Sequence, residues 1–398
     1  MIIRLLFLAS IIGLISSTVY LVLVLEASRR FRRAPRTRMV DPASLPAVTV
    51  LKPLHGLEPY LERNLESFFV QNYPDFELIF GVRDANDPAL EVVEALRRKH
   101  PHVKTGVVLS GEPEYPNAKV FALEKMTPHA NSPYLVITDS DVCVSPNCIR
   151  EVIVPLLDQN NGVVTCLYRG LPAGGFWSRL EALGMSIELP SGVLVANMLE
   201  GMKFALGPTM ATRKDVLDQI GGLAALGQYC ADDYVLGNLA HASGKKVVLS
   251  EHVVGHVAMN TSAHASLTHQ VRWMRSTRFS RYAGHVGTGL TYAMPFGLLG
   301  LLAGVLMQNW QLGLGLFACS FFNRTIQAIA IGSFFIGDRE SLKLCWLYPI
   351  RDLMGFGVWC ASFMGSEIVW RNQRYRLLTG GKMVRVESGS HAGGVVGN

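Results

Sequence analysis

The chain has 398 residues, of which 49% are hydrophobic and 17% are charged, and its mean hydropathy is +0.25. These values are too apolar for an ordinary soluble protein, so we expect part of the chain to lie in a membrane. The formal net charge of +6 comes from clusters of Arg and Lys beside apolar segments, a pattern that indicates membrane topology and excludes a nucleic-acid surface.

The N-terminal segment from Ile2 to Leu25 is almost continuously apolar and is close to the roughly 20 residues that a membrane-spanning helix needs. It runs directly into the basic cluster that starts at Arg29 and has no small-residue cleavage pattern. This favours a retained anchor, residues 1–28, over a cleaved secretory signal. Because flanking positive charges stay in the cytosol, the N-terminus should lie outside and the following domain inside.

Predicted strands and helices alternate after Pro46. The predicted strands are Ala47 to Pro53, the segment FELIFGVRD that ends at Asp84, VKTGVVL from Val103, and Tyr134 to Thr138. Amphipathic helices are predicted from Tyr60, Pro88 and Asn117. This order predicts an α/β fold with a mostly parallel sheet and helices on both faces. Ligands gather at the carboxyl ends of such strands, so Asp84 and Asp139 should present acid to one crevice.

Two carboxylates follow the fourth predicted strand in the sequence ITDSD. In an extended segment, Asp139 and Asp141 would lean to the same side while Ser140 turns away. Two acidic oxygens at one place repel each other unless a cation lies between them, and a hard divalent ion with a phosphate ligand suits such a place. A simple polar turn after a strand is the alternative.

The segment from Phe176 to Leu206 is rich in Met, Leu and aromatic residues but is interrupted by Pro190 and Gly192. This composition fits a membrane-skimming segment as well as an element of the core. The next predicted helix starts at Arg213 and ends at Gly221, because glycine commonly follows the last helical turn.

Charged residues mark the two helices that complete this domain. Asp232 and Asp233 open a helix that continues to about His241, where acid could also act as a simple cap. The segment HQVRWMRSTRFSRY then carries an arginine at every third position: Arg272, Arg275, Arg278 and Arg281. Such a stripe could bind anionic lipid. The sharper hypothesis is that Arg272 and Trp273 close the crevice and hold a diphosphate.

Beyond His285 the chain becomes apolar again in three segments, which are Leu290 to Met307, Leu312 to Phe335 and Leu344 to Trp370. Arg324, Arg351 and Asp352 lie within them and would be unfavourable in lipid unless they are paired or face the interior. If the soluble domain and the basic tail at Arg371 are both cytosolic, the number of crossings between them must be even. One segment should therefore lie in the interface or re-enter.

The motifs GVRDANDPA, ITDSD, RKDVLDQIGG followed by ADDY, the RW pair and the tail WRNQRYRLLTGG together resemble the ceramide glucosyltransferase family. The match runs from about Ala47 to Met383 with its elements in the family's order. It implies an inverting, membrane-bound enzyme with a GT-A catalytic domain at residues 46–285. An N-terminal transmembrane helix, a C-terminal membrane region at residues 286–372 and a cytosolic tail at residues 373–398 complete the expected organisation.

The resemblance also implies roles for individual residues. Asp84 would contact the uridine, and Asp139 and Asp141 would engage a divalent cation, Mn²⁺ or Mg²⁺, together with the diphosphate. Asp233 would be the catalytic base, with Asp232 as a supporting charge that raises its pKa. The family's last motif begins with Gln or Arg, whereas this chain has His269. The donor-binding residues implied are Asp84, Asn117, Lys119, Asp139, Arg272 and Trp273.

The expected reaction is transfer of glucose from UDP-glucose to ceramide or a ceramide-like lipid, with inversion to a β-glycoside. The alternative within the same family is transfer of N-acetylglucosamine from its UDP donor to a hopanoid. A processive polysaccharide synthase is less favoured, because three modest C-terminal segments are few for a polymer channel. The expected partners are the UDP-sugar, the lipid acceptor and the bilayer, with no nucleic acid. The catalytic domain should face the cytosol at a bacterial inner membrane or a eukaryotic Golgi or ER membrane.

Overall fold

The computed structural model describes residues 1–34, 40–370 and 373–386. Part of the first basic cluster, the basic residue Arg371 and residues 387–398 of the expected tail lie outside the described residues. The strands are β1 (Val48–Pro53), β2 (Phe76–Val82), β3 (Lys104–Leu109), β4 (Tyr134–Thr138), β5 (Val142–Cys143), β6 (Asn161–Pro172), β7 (Thr209–Arg213), β8 (Lys246–Ala258), β9 (Glu367–Trp370), β10 (Gln373–Leu377) and β11 (Met383–Arg385).

The helices divide into those that flank the sheet and those that are strongly apolar. They are α1 (Ile2–Arg33), α2 (Leu61–Phe69), α3 (Ala89–Lys99), α4 (Ala118–Met126), α5 (Cys148–Ile153), α6 (Gly175–Glu200), α7 (Lys214–Gln219), α8 (Asp232–Ala242), α9 (Ala263–Ser280), α10 (Tyr282–Thr288), α11 (Met294–Leu306), α12 (Trp310–Gln327), α13 (Arg339–Lys343) and α14 (Tyr348–Ser362). A π-helical stretch, Ala328–Phe335, continues α12 without a break.

The central sheet has eight strands in the order β3-β2-β1-β4-β7-β6-β8-β5. Its first four strands are parallel, and β1, β2 and β4 are largely buried, with side chains such as Leu51, Phe80 and Ile137 fully inaccessible to solvent. This half matches the predicted alternation of strands and helices. The other half is mixed, because β7 runs antiparallel to both β4 and β6, whereas β6 and β8 are parallel. Hydrophobic patterns predict strands but not their direction, so the sequence did not predict this reversal.

The segment predicted to be interrupted by Pro190 and Gly192 is one continuous helix, α6, of 26 residues. Proline removes one amide from the helical hydrogen-bond pattern and usually kinks a helix. Here the Ser191 hydroxyl donates to the Ile187 carbonyl at 2.6 Å, which adds a hydrogen bond beside the proline. The interruption expected from Pro190 was therefore wrong, because the helical backbone continues through the proline.

Three of the described helices are long and apolar enough to cross a membrane: α1, α6 and the continuous helix Trp310–Phe335. Among the expected C-terminal segments, α11 has only 13 residues and α14 only 15. The segment expected to continue to Trp370 ends as a helix at Ser362 and then changes to strand β9. A glycine with positive φ, Gly365, and the polar residues that follow it redirect the backbone at this point.

Ionised side chains in the apolar region are paired, as membrane burial requires. Arg324 donates to Asp352 at 3.2 Å, and both side chains are 2% exposed. The second oxygen of Asp352 accepts hydrogen bonds from the first amides of α11, at Ala293 and Met294. Arg351 pairs with Glu188 of α6 at 2.9 Å. These contacts tie α6, α11, α12 and α14 to one another.

Replacing Asp352 with Ala leaves the Arg324 guanidinium buried without its counter-charge and leaves two α11 amides without an acceptor. We expect a stability loss of about 3–5 kcal/mol, measured as a lower midpoint of thermal unfolding in detergent micelles. The control variant Lys343→Ala breaks an exposed ion pair with Glu340 and should leave the midpoint nearly unchanged. Equal effects of the two variants would contradict the importance of the buried pair.

Candidate functional site

The carboxyl ends of β1, β2 and β4 meet at one edge of the sheet, because these three strands are parallel neighbours. Asp139 directly follows β4, and Asp84 lies two residues after the end of β2. Asp84 is exposed, and one of its carboxylate oxygens accepts a hydrogen bond from the Asn86 amide at 2.9 Å. The structure therefore places both acids at the expected edge but holds Asp84 in a local turn at the surface.

A cleft opens beside Asp84 at the same edge. It is lined by the ends of β1 and β2, by the loop after β3 and by the first turn of α4. The lining residues include Pro53, Val82, Arg83, Ser110 and Lys119. The cleft thus extends from Arg83, which precedes Asp84 in the chain, to Lys119.

Lys119 lies between carboxylates from two distant parts of the chain. Its ammonium is 2.6 Å from an oxygen of Asp139 and 3.7 Å from an oxygen of Asp232. Burial by itself lowers the pKa of Lys119, but the charges of Asp139 and Asp232 outweigh burial and raise the pKa above its ordinary value. The lysine is therefore a permanent positive charge at the centre of the site.

Asn117 determines where Lys119 lies, because it caps the start of α4 by accepting from the Val120 amide at 3.1 Å. Its amide nitrogen donates to Asp232 at 3.2 Å and to the Tyr229 carbonyl at 2.9 Å. The same side chain therefore fixes α4 and links it to the start of α8. Asn117 is therefore both the N-cap of α4 and a hydrogen-bond partner of Asp232.

Asp139 and Asp141 have different partners. The strand ends at Thr138, and the Val142 amide donates to the Asp139 carbonyl at 3.4 Å, so residues 139–142 form a turn. The alternation expected for an extended segment does not apply there. Whereas Asp139 pairs with Lys119, one oxygen of Asp141 lies 3.0 Å from Nε2 of His256 on β8.

His256 was not identified from the sequence, because a single histidine in a strand carries no motif. Although burial raises the pKa of Asp141, the adjacent His256 outweighs burial and holds the pKa below its ordinary value. Burial likewise lowers the pKa of His256, but Asp141 outweighs it and raises the pKa. Oδ1 of Asp141 is buried and has no hydrogen-bond partner within the described residues. A carboxylate oxygen in this state is free to bind a cation.

Lys52 is a second buried cation that the sequence analysis missed. It lies near the end of β1, donates to the Asp139 carbonyl at 2.8 Å and packs 3.9 Å above the Phe68 ring. Burial lowers the pKa of Lys52 to about 7, although the charges of Asp139 and Asp141 oppose the change. The sequence signal was a lysine inside an otherwise apolar strand.

Asp233 faces the other side of this charge cluster from the first turn of α8. Its two oxygens accept from the backbone amides of Gly207, at 2.5 Å, and Tyr234, at 2.8 Å. Burial and the negative charge of Asp232 raise the pKa of Asp233 to about 6. A carboxylate with this pKa can take and release a proton near neutral pH.

The RW pair, Arg272 and Trp273, lies on helix α9. The Trp273 ring lies 4.4 Å from the His269 ring and 6.2 Å from the His256 ring, centroid to centroid. The Arg272 guanidinium lies 5.9 Å from the centroid of the Trp370 ring. Trp273 is thus brought next to the Asp141–His256 pair, as a role in the crevice requires.

His269, which departs from the family's motif, is held by a buried carboxylate. Glu181 of α6 is 2% exposed and accepts from the His269 ring at 2.8 Å, the Ser266 hydroxyl at 2.6 Å and the Asn260 amide at 3.0 Å. Glu181 was also missed from the sequence, where it is a lone acid in an apolar run. This cluster joins α6 to the start of α9.

Most of the candidate residues converge in the structure. Lys119 links Asp139 to Asp232, and the aspartate turn is linked to Trp273 through His256. Asp84 remains in its exposed turn at the same edge. No group of three or more His, Cys, Asp or Glu side chains in residues 1–34, 40–370 and 373–386 is arranged to hold a metal ion.

Comparisons with known proteins agree with this architecture. Residues 7–383 match the family described as Glycosyl transferase family 21. Ceramide glucosyltransferase 1 of Caenorhabditis elegans is 27% identical over 377 residues, which cover 92% of this chain and 79% of the relative. A ceramide glucosyltransferase of Komagataella phaffii is 35% identical over 132 residues, 32% of this chain and 26% of the relative.

Among solved structures, a mannosyltransferase from Pyrobaculum calidifontis in complex with GDP-Man and Mn²⁺ has a TM-score of 0.52 to this chain at 16% identity. The alignment covers 89% of this chain and 99% of that chain. At this sequence identity, the structural similarity gives information about the fold only. It confirms the predicted α/β fold class of GT-A type.

Replacing Glu181 with Leu should destabilise the chain by about 3 kcal/mol or more, because three buried or half-buried donors lose a charged acceptor. The matched variant His269→Gln keeps an N–H donor for Glu181 and should cost less than about 1.5 kcal/mol. Thermal unfolding in detergent measures both. If the two variants lower the midpoint equally, Glu181 does not organise this cluster.

Proposed function

The chain belongs to glycosyl transferase family 21, and from this membership we propose that it transfers glucose from UDP-glucose to ceramide or a ceramide-like lipid. The product is a β-glycoside, because a single displacement inverts the α-linked donor. The observation that carries the proposal is Asp233, a carboxylate with its pKa raised to about 6 at the rim of a buried cluster of charges. This is the group that deprotonation of a lipid hydroxyl requires.

The donor would lie in the cleft at the edge of the parallel strands. Asp84, beside the cleft, would contact the uridine, and the start of α4 with Asn117 and Lys119 would support the diphosphate. Arg272 and Trp273 would close the crevice from α9. The positive charges of Lys119 and Arg272 neutralise the charge that develops on the leaving diphosphate.

We also propose that a divalent cation, Mn²⁺ or Mg²⁺, binds at the aspartate turn together with the diphosphate of the donor. Oδ1 of Asp141 is buried without a hydrogen-bond partner among the described residues, and the imidazole of His256 lies beside the same carboxylate. Carboxylate oxygens are suitable ligands for such ions, with the diphosphate supplying further oxygens. Asp139 and Asp141 would hold the ion. When bound, the ion would supply additional charge neutralisation for the leaving group.

Asp233 would take the proton from the acceptor hydroxyl. The amides of Gly207 and Tyr234 fix its carboxylate, so its orientation does not depend on a flexible side chain. Asp232 supports this role by its charge, which raises the pKa of Asp233. Lys119 in turn balances Asp232 and prevents the acidic pair from repelling the rest of the site.

Membrane helix α6 connects the bilayer with this base. It ends at Glu200, and Gly207, which donates to Asp233, follows only a short loop later. A lipid that enters from the bilayer would meet the crevice near this loop. The arginines in the last turn of α1 support a cytosolic position for the catalytic part, residues 46–285.

The defining experiment incubates the purified chain in detergent-lipid micelles with labelled UDP-glucose or UDP-N-acetylglucosamine, each with ceramide or a hopanoid acceptor. We expect labelled glucosylceramide as the main product, and loss of transfer when EDTA removes Mn²⁺ and Mg²⁺. The Asp233→Asn variant serves as the negative control. A labelled hopanoid with N-acetylglucosamine, or a long polymer, would contradict the proposal.

The base predicts a defined pH dependence. Asp233 must be ionised to accept a proton, so kcat should fall as pH decreases through the pKa of about 6. Asp233→Asn should lower kcat by about 10²- to 10⁴-fold. Asp232→Asn removes the negative charge that raises this pKa, so the acid limb should move to lower pH. An Asp233→Asn variant that keeps full activity while Asp232→Asn loses it would reverse the assignment of the pair.

A further inference from the structure

Strands β9, β10 and β11 form a separate three-stranded antiparallel sheet in the order β11-β10-β9. Ile368, Tyr375, Leu377 and Met383 form its small core, against which Cys230, Phe279 and Trp370 pack. Two of these contacts come from other parts of the chain: Cys230 precedes α8, and Phe279 lies on α9. The C-terminal sheet therefore lies against both elements that carry candidate site residues.

Backbone hydrogen bonds join the sheet to the segment immediately before α8. The Met383 amide donates to the Gln228 carbonyl at 2.8 Å, and the Cys230 amide donates to the Gly381 carbonyl at 3.2 Å. Between them, Tyr229 and Lys382 form an antiparallel bridge. Residues 228–230 thus behave as a short additional strand of the C-terminal sheet.

The opposite side of this segment is held by the start of α4. The Asn117 amide donates to the Gly227 carbonyl at 3.0 Å, and its side chain donates to the Tyr229 carbonyl at 2.9 Å. The segment is therefore fixed between Asn117 and the C-terminal sheet. Asp232 and Asp233 follow it directly.

The arginine stripe of α9 forms the second attachment. Arg275 donates to the carbonyls of Glu367 and Met364, both at 2.6 Å, and Arg278 donates to the Gly365 carbonyl at 2.6 Å. These arginines are thus engaged by the backbone that leads into β9. The Gly380 amide donates back to the Phe279 carbonyl of α9 at 3.1 Å.

We propose that the C-terminal sheet is a positioning element of the catalytic crevice, which holds the start of α8 and the Arg272 face of α9 in one geometry. The inference rests on the proposed function. Transfer requires Asp233 and Arg272 to lie at fixed positions on either side of the reacting atoms, and loops alone do not hold such positions well. The sheet supplies the rigid connection, through main-chain bonds to residues 228–230 and through Trp370 beside Arg272.

The first test compares two neighbouring substitutions in the full chain. Met383 is fully buried in the small core, whereas Val384 is 51% exposed. We expect Met383→Ala to lower kcat for glucosyl transfer by about 10- to 100-fold, with little change in KM for UDP-glucose. Met383→Leu and Val384→Ala should retain both activity and the unfolding midpoint. Met383→Ala leaves a cavity and should lower the midpoint in detergent, so kcat is compared at a temperature at which all variants are folded.

The outcomes separate this inference from the proposed function. If the unmodified chain produces no glucosylated lipid, the proposed function fails. If it does, and folded Met383→Ala matches Val384→Ala in kcat, the sheet is only a packing element and the inference is wrong. Arg275→Lys and Arg275→Gln form a second pair should Met383→Ala fail to fold. Both should lose kcat, because lysine lacks the forked donors, whereas a lipid-binding stripe would tolerate lysine.

A crosslink tests positioning directly. Tyr229 and Lys382 face each other as a non-hydrogen-bonded antiparallel pair, whose Cβ atoms are typically about 4.5–5.5 Å apart, close enough for a disulfide with a small adjustment. In the Met383→Ala background, Tyr229→Cys with Lys382→Cys should recover kcat after oxidation and lose it again after reduction. Each single cysteine variant, treated identically, controls for native Cys230. A crosslink that forms without recovery of kcat would overturn the proposal.

Discussion

The ammonium of Lys119 is the charge on which the organisation of the site depends. Four carboxylates, from the turn after β4 and from the first turn of α8, converge at one edge of the sheet, and without cations they would repel one another. Lys119 joins the two groups by contacting Asp139 and Asp232. Lys52 and His256 add positive charge beneath the aspartate turn. Burial, together with the negative charge of Asp232, raises the pKa of Asp233, which suits a base.

Buried charges are also paired with opposite charges in the apolar part of the chain, where burial makes an unpaired charge even more unfavourable. Arg324 with Asp352 and Arg351 with Glu188 connect α6 to the C-terminal helices. Seven residues earlier on α6, Glu181 gathers three donors and holds His269 beside Trp273. One helix therefore carries an ion pair to the C-terminal helices and a buried contact to α9, which couples the position of the apolar helices to the geometry of the site.

The C-terminal sheet gives this arrangement its outer support. It is built from residues that follow the last apolar helix. Its backbone nevertheless forms hydrogen bonds with residues 228–230 and with the Arg275 side chain of α9. Two arginines of the stripe, Arg275 and Arg278, are thereby engaged by backbone carbonyls, and a third, Arg281, pairs with Glu200. Elements far apart in sequence are fixed together around the short segment that leads into Asp233.

The sequence by itself determined the α/β alternation, the apolar anchor and the acids at the ends of β2 and β4, because hydrophobic period and strand ends are local properties. Family motifs pointed to Asp233, Arg272 and Trp273. Only the tertiary structure decided that β7 runs antiparallel, that α6 continues through Pro190, and that Asp139 and Asp141 face different partners. The contacts of Lys52, His256 and Glu181 could likewise not be predicted from the sequence. A lone charge in an apolar run acquires meaning only from the partners that folding brings to it across long separations in sequence.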